Sequence, residues 1–150
     1  TAAGLLLSAT GLAGLVGAPV GGWLTDQQGA RFVAITSGAL SATALTFIPL
    51  ALSVQDGGQV FAALVLTWGV GASAQGPALT ALAQELAPPG SEAEALALPR
   101  ACGDAVYIVA PFLLGAVADQ AGAATPGIEC ALAGVATLLG ALGLGLLLRD

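Results

Sequence analysis

The chain has 150 residues, of which 57% are hydrophobic and only 8% charged: nine acids, three arginines, no lysine and no histidine. A soluble domain carries about 25% charged residues, so this chain has too few to coat a water-facing surface. Without histidine it holds no Ser-His-Asp triad, no His-containing zinc site and no histidine proton relay. The net charge of −6 is scattered over loops and helix ends, with no basic run for nucleic acid.

In chain order, five apolar runs stand out, at roughly 3–24, 32–53, 60–82, 101–118 and 128–148. Each is near the ~20 residues that carry a helix across a bilayer, and the short alternating segments of a β-barrel are absent. The expected fold is all-α and membrane-embedded, with five transmembrane helices. The first break is "TDQQGAR". The second is "SVQDGGQ". The third, "AQELAPPGSEAEALALPR", is longer, and its Pro88, Pro89 and Gly90 mark an exposed connector. The fourth is "DQAGAATPG". With Thr1 first and no methionine, the sequence is expected to be part of a longer polypeptide; a basic flank and cleavage site for a signal peptide are lacking.

The arginines fix an orientation. Arg31, Arg100 and Arg149 fall on one side of a five-span zigzag, whereas the second and fourth loops carry Asp56 and Asp119 and no cation. Positive residues favour the cytoplasm, which puts the C-terminus inside. Cys102 and Cys130 lie near opposite ends of successive runs, too far apart for the ~7 Å Cα separation a disulfide tolerates. Both are expected to be free.

Small residues are abundant, with 22 glycines, and in lipid they let helix backbones approach closely. Gly17 and Gly21 form a GxxxG pair behind Gly14, and Gly140 and Gly143 are expected to do the same in the last run. Pro19, Pro49, Pro77 and Pro111 sit inside runs, where membrane helices tolerate kinks.

The first run ends "APVGGWLTDQQG" and the fourth "APFLLGAVADQAG". Both carry Ala-Pro and then G-x-x-x-D-x-x-G: Gly22, Asp26, Gly29 and Gly115, Asp119, Gly122. On the zigzag the two copies point in opposite directions, the arrangement of an inverted repeat, with chance similarity in a Gly/Ala-rich chain as the alternative.

"GGWLTDQQGAR" resembles the loop motif between the second and third helices of each half of the major facilitator superfamily, approximately G-x-L-A-D-R-x-G-R-R. Gly22, Leu24, Asp26, Gly29 and Arg31 match; Thr25 replaces alanine, and Gln27 and Ala30 replace basic residues, as in the less strict second copy. Pro99 to Gly122 is similar to the eleventh helix of such facilitators. The resemblance implies that the chain is a partial C-terminal bundle, helices eight to twelve of twelve. It also implies secondary transport of a small-molecule substrate by alternating access, possible coupling to a proton, and no enzyme activity, metal or cofactor. The partners implied are the lipid bilayer and an N-terminal half of the same chain.

Gly22, Asp26, Gly29 and Arg31 then form a gate: Asp26 accepts hydrogen bonds at a helix end, Gly29 permits the turn, and Arg31 reaches back to Asp26 or to a carbonyl. The bland alternative makes them polar residues ending two spans. Arg100 and Asp104, spaced i, i+4, are second gate candidates or else a local surface pair. The resemblance places the first, third and fourth runs around a cavity, where Trp68, Gln75 and Tyr107 are pathway candidates; Gln75 could instead bond between helices. The rival function is a non-transporting polytopic membrane protein, a sensor, scaffold or degenerate paralogue.

Overall fold

The structure, a computed structural model, describes residues 2–148, leaving out the side chains of Ala2, Ala3 and Ala123. It consists of five long helices: α1 (Ala2–Gln28), α2 (Ala30–Ser53), α3 (Gly58–Leu86), α4 (Glu92–Ala121) and α5 (Ile128–Leu147), with one 3₁₀ turn at Gly122–Ala124. Among the described residues there is no strand. Arg149 lies outside the described residues.

Four helices (α1, α2, α4 and α5) are long and apolar enough to cross a membrane. The third run, expected to be a span like the others, falls outside that set. Its 29 residues reach about 43 Å at 1.5 Å per residue, enough for a ~30 Å core. Trp68, Ser73, Gln75 and its glycines dilute its apolar character.

The first four helices are longer than their apolar runs, because polar residues at their ends remain helical, whereas α5 matches its run to within a residue. α1 continues through Thr25, Asp26, Gln27 and Gln28, so the expected loop shrinks to the single non-helical residue Gly29. Gly29 has φ 90° and ψ 146°. Its N–H donates to the Thr25 carbonyl at 2.9 Å, which closes α1 and lets α2 start at once. The third connector shortens to residues 87–91. α4 starts at Glu92, where Glu92 and Glu94 occupy the first turn and favour the positive end of the helix dipole. The Gly90 N–H donates to Glu92 Oε1 at 3.0 Å, and the Ser91 hydroxyl donates to the Pro88 carbonyl at 2.9 Å.

α3 packs against α1 on one side and α2 on the other, and α5 packs along the far side of α2. Among the described residues α4 touches only α3, α5 and the 3₁₀ turn that follows it, lightly, and buries no residue. The interior is made of small residues: Ala34, Ala42 and Ala78 are fully buried, and no large side chain is. Apart from Val33, Ile48 and Leu82, which are buried, most large apolar side chains point outward; Leu147 is 84% exposed and Phe112 77%. This inside-out distribution fits a lipid solvent, in which helices gain nothing by hiding leucine from hydrocarbon and gain van der Waals contact by bringing backbones together.

The closest approaches are at glycines. A Cβ on Gly21 would lie 2.5 Å from Ala74 Cα, and one on Gly17 would lie 2.8 Å from Ser73 Oγ, so the GxxxG pair is the seat of α3 on α1. A Cβ on Gly71 would lie 2.5 Å from Ser41 Oγ and 3.0 Å from the Ser37 carbonyl of α2. In α5 the sequence expectation is corrected. Gly140 and Gly143 have open space around a Cβ, whereas one on Gly134 would meet Thr46 N at 2.7 Å and the Ala42 carbonyl at 2.8 Å. The face of α5 that meets α2 contains Gly134 and Ala141, seven residues or two helical turns apart, and Gly140 and Gly143 point away from it.

Hydroxyls add little polarity to these faces because most bond back along their own helix. Thr25 donates to the Gly21 carbonyl at 2.8 Å, Ser37 to Val33 at 2.6 Å and Thr46 to Ala42 at 2.7 Å. Ser41 Oγ, buried between α2 and α3, has no hydrogen-bond partner. Cys102 and Cys130 are both free.

Candidate functional site

The packing sets which helix ends lie together. Val33 and Ala34 near the start of α2 and Ala78 late in α3 form one buried cluster, covered by Leu24 late in α1 and Leu144 late in α5. At the opposite end, a Cβ on Gly127, just before α5, would lie 2.9 Å from Leu52 Cδ1 near the end of α2. The five helices therefore run up and down alternately, and the Gly22–Arg31 segment occupies one end of the bundle.

Within that segment the residues divide. Gly22 is not the close-approach glycine: a Cβ there would lie 4.0 Å from Pro77 Cβ, an ordinary contact, and the tight position is its neighbour Gly21. Gly29 supplies the positive-φ turn. Asp26 is exposed in the last turn of α1. Arg31 is half-buried in the first turn of α2, and its Nη2 donates to the Gly145 carbonyl in the last turn of α5 at 2.7 Å. Of the two partners open to Arg31 in the sequence, it takes a carbonyl, 114 residues away. Among the described residues no ion pair forms, so neither Asp26–Arg31 nor Arg100–Asp104 is closed.

The second copy of the motif sits at the other end. Gly122 caps α4 with φ 57° and ψ −156°, and its N–H donates to the Ala118 carbonyl. Gly29 and Gly122 thus share a positive-φ, near-extended backbone that is essentially restricted to glycine. Each also donates to the carbonyl of the residue before the motif aspartate, Thr25 or Ala118. Asp119 is exposed like Asp26. The echo is therefore one of conformation as well as of letters, and its copies lie at opposite ends of α2.

Arg100, on exposed α4, borders a cleft of about 440 Å³ whose α3 wall is Gly76, Leu79, Thr80 and Ala83. Asp104 is exposed. Trp68 and Gln75 are seven residues apart, two helical turns, and share one side of α3; Trp68 is 38% exposed. Gln75 turns toward α2, with its Nε2 3.0 Å from the Cβ position of Gly38. Tyr107 is 81% exposed on α4. The structure does not draw these three into one closed site. Among the described residues no group of three or more acids and cysteines is placed to hold a metal.

Two partners were missed from sequence: Gly145, which receives Arg31, and Ser41, which faces Gly71. The signal for Ser41 was present in α2, where Ala30, Ala34, Gly38 and Ala42 recur every four residues beside Ser37 and Ser41, marking a buried small-residue face. Gly145 had no local signal.

Apolar helices with an inside-out surface and a polar turn at one end define a multi-pass, α-helical integral membrane protein. The profile of the Major Facilitator Superfamily matches residues 1–150, and the chain belongs to that family. Its members are transporters of small molecules rather than enzymes, and they work in a lipid bilayer. No curated protein and no solved structure matches the chain.

Proposed function

We propose that the chain is the C-terminal part, helices eight to twelve, of a twelve-helix secondary transporter that moves a small solute by alternating access. The observation that carries this is the pair of matched G-x-x-x-D-x-x-G turns at opposite ends of the bundle. Their inversion relates α1 to α4 and α2 to α5, and α3 is left without a counterpart. The apolar groove of about 430 Å³ between α4 and α5, lined by Val106, Ala110, Leu113, Leu132 and Ala136, is where that counterpart belongs. It would be supplied upstream in the same polypeptide, and the remaining six helices would cover the rest of α4.

The end bearing Arg31 and Arg100 faces the cytoplasm in this reading, and the C-terminus with it. Asp26, exposed and without an ion-pair partner among the described residues, is the gate charge of the Gly22–Asp26–Gly29–Arg31 turn, and Arg100 and Asp104, a few turns into α4, are the second gate pair. Trp68, Gln75 and Tyr107 border the pathway. The acid nearest mid-helix among the described residues is Asp104 in α4, so a coupling proton would use Asp104 or a carboxylate upstream.

The test is Asp26→Asn in the full transporter. Single cysteines at Trp68 and Tyr107, in a background lacking Cys102 and Cys130, are labelled with an aqueous maleimide from each side of the membrane. The gate reading expects Asp26→Asn to shift the labelling ratio between the two sides. Unchanged labelling would remove the gate and favour a non-transporting member of the family.

A further inference from the structure

We propose that Arg31 is a fixed strut that closes the α2–α5 interface, and is not one half of a charge pair that opens and shuts with Asp26. The inference does not depend on transport being the activity, because it concerns a contact inside one bundle. The guanidinium donates to the Gly145 carbonyl at 2.7 Å. Gly145 lies in the last turn of α5, where the final carbonyls lack partners within the helix and carry the negative end of its dipole. An arginine there satisfies an acceptor and a partial charge together.

A gate contact must join parts that separate, and α2 and α5 are laced together from end to end. At the far end, Gly127 lies against Leu52, Ile48 and Pro49. Farther along α5, Gly134 lies against the Thr46 and Ala42 backbone, and then Ala141 against Gly38. At the near end, Gly145 meets Ile35, whose Cδ1 is 3.4 Å from the Cβ position. Arg31 is the last rung of that series. Each of the four earlier rungs is a small residue set within van der Waals range of the facing helix, so sliding or parting the two helices would break all of them at once. The motif therefore divides its labour: Arg31 holds α5 to α2, and Asp26 keeps its carboxylate for a partner outside this bundle.

Hydrogen exchange read by mass spectrometry on the full transporter in lipid nanodiscs tests this. The reporter is the last turn of α5, where the Leu148 N–H is held by the Leu144 carbonyl at 3.2 Å. Arg31→Gln is expected to raise exchange there about 5-fold, the size of an ordinary hydrogen bond's net contribution. Arg31→Lys keeps the charge and loses the planar fork, and is expected to raise it about 2-fold. Asp26→Asn is expected to leave that turn as in the parent, and the double variant to match Arg31→Gln alone. Exchange in α5 that rises equally in Asp26→Asn and Arg31→Gln would overturn the strut in favour of a coupled pair. Unchanged exchange in Arg31→Gln would overturn it outright. If Arg31→Gln is not recovered folded, Arg31→Lys and Asp26→Asn decide by the same comparison, and a lysine variant that leaves the α5 turn unchanged overturns the strut.

Discussion

α2 and α4 are both apolar helices with internal prolines, yet one is the centre of the bundle and the other is barely attached to it. α2 buries Ala30, Ala34, Gly38 and Ala42, and with them Ser37 and Ser41, between α3 and α5. α4 is also rich in alanine and carries Gly103 and Gly115, but neither glycine has an atom within 4 Å of a Cβ position, and no α4 residue is buried. Small residues are thus necessary for close packing and not sufficient. The helix opposite must bring its backbone to the same level, as Ala74 does for Gly21 and Thr46 for Gly134.

The comparison can be broken most severely at Gly21. Gly21→Leu must push α1 off the Ala74 backbone, and is expected to cost about 3 kcal/mol of bundle stability, the upper part of the overpacking range, measured by unfolding in mixed detergent micelles. Gly134→Ala drives a methyl into the Thr46 and Ala42 backbone, and is expected to cost about 2 kcal/mol in the same assay. Ser41→Ala has the opposite sign. It removes a buried hydroxyl with no partner, so stability is expected to stay level or rise by about 1 kcal/mol. The smallest effects belong to α4 when residues 1–150 are measured by themselves. Gly115→Ala then adds a methyl in open space and favours the helix by roughly 0.5 kcal/mol, and Tyr107→Ala is expected to stay within about 0.5 kcal/mol. A loss at Gly115 as large as that at Gly134 would mean that α4 is as tightly held as α2.

Much of this was legible in the sequence because lipid imposes simple rules. Twenty-residue apolar runs become helices, a glycine between two polar ends becomes a reversal, and Gly17 and Gly21 mark a helix contact. The rest was non-local or compositional. Helix ends ran past the apolar runs because Asp26, Gln27, Gln28, Glu92 and Glu94 are compatible with helix once they reach water. Gly140 and Gly143 fitted a packing pattern, and the rotation of α5 turned Gly134 and Ala141 inward instead. The partner of Arg31 lies 114 residues away, where no spacing rule reaches. The two matched turns were visible as letters, but the shared backbone of Gly29 and Gly122 could be read only from the coordinates.

Everything proposed about sidedness depends on α3 crossing the bilayer, though it is the one long helix whose composition alone does not require it. The direct measurement is labelling of single cysteines at Gln55, between α2 and α3, and at Pro89, between α3 and α4, with a membrane-impermeant maleimide in sealed cells, in a background lacking Cys102 and Cys130. The account predicts that the Gln55 site labels from outside and the Pro89 site only after the membrane is opened. Labelling of both sites from the same side would contradict it.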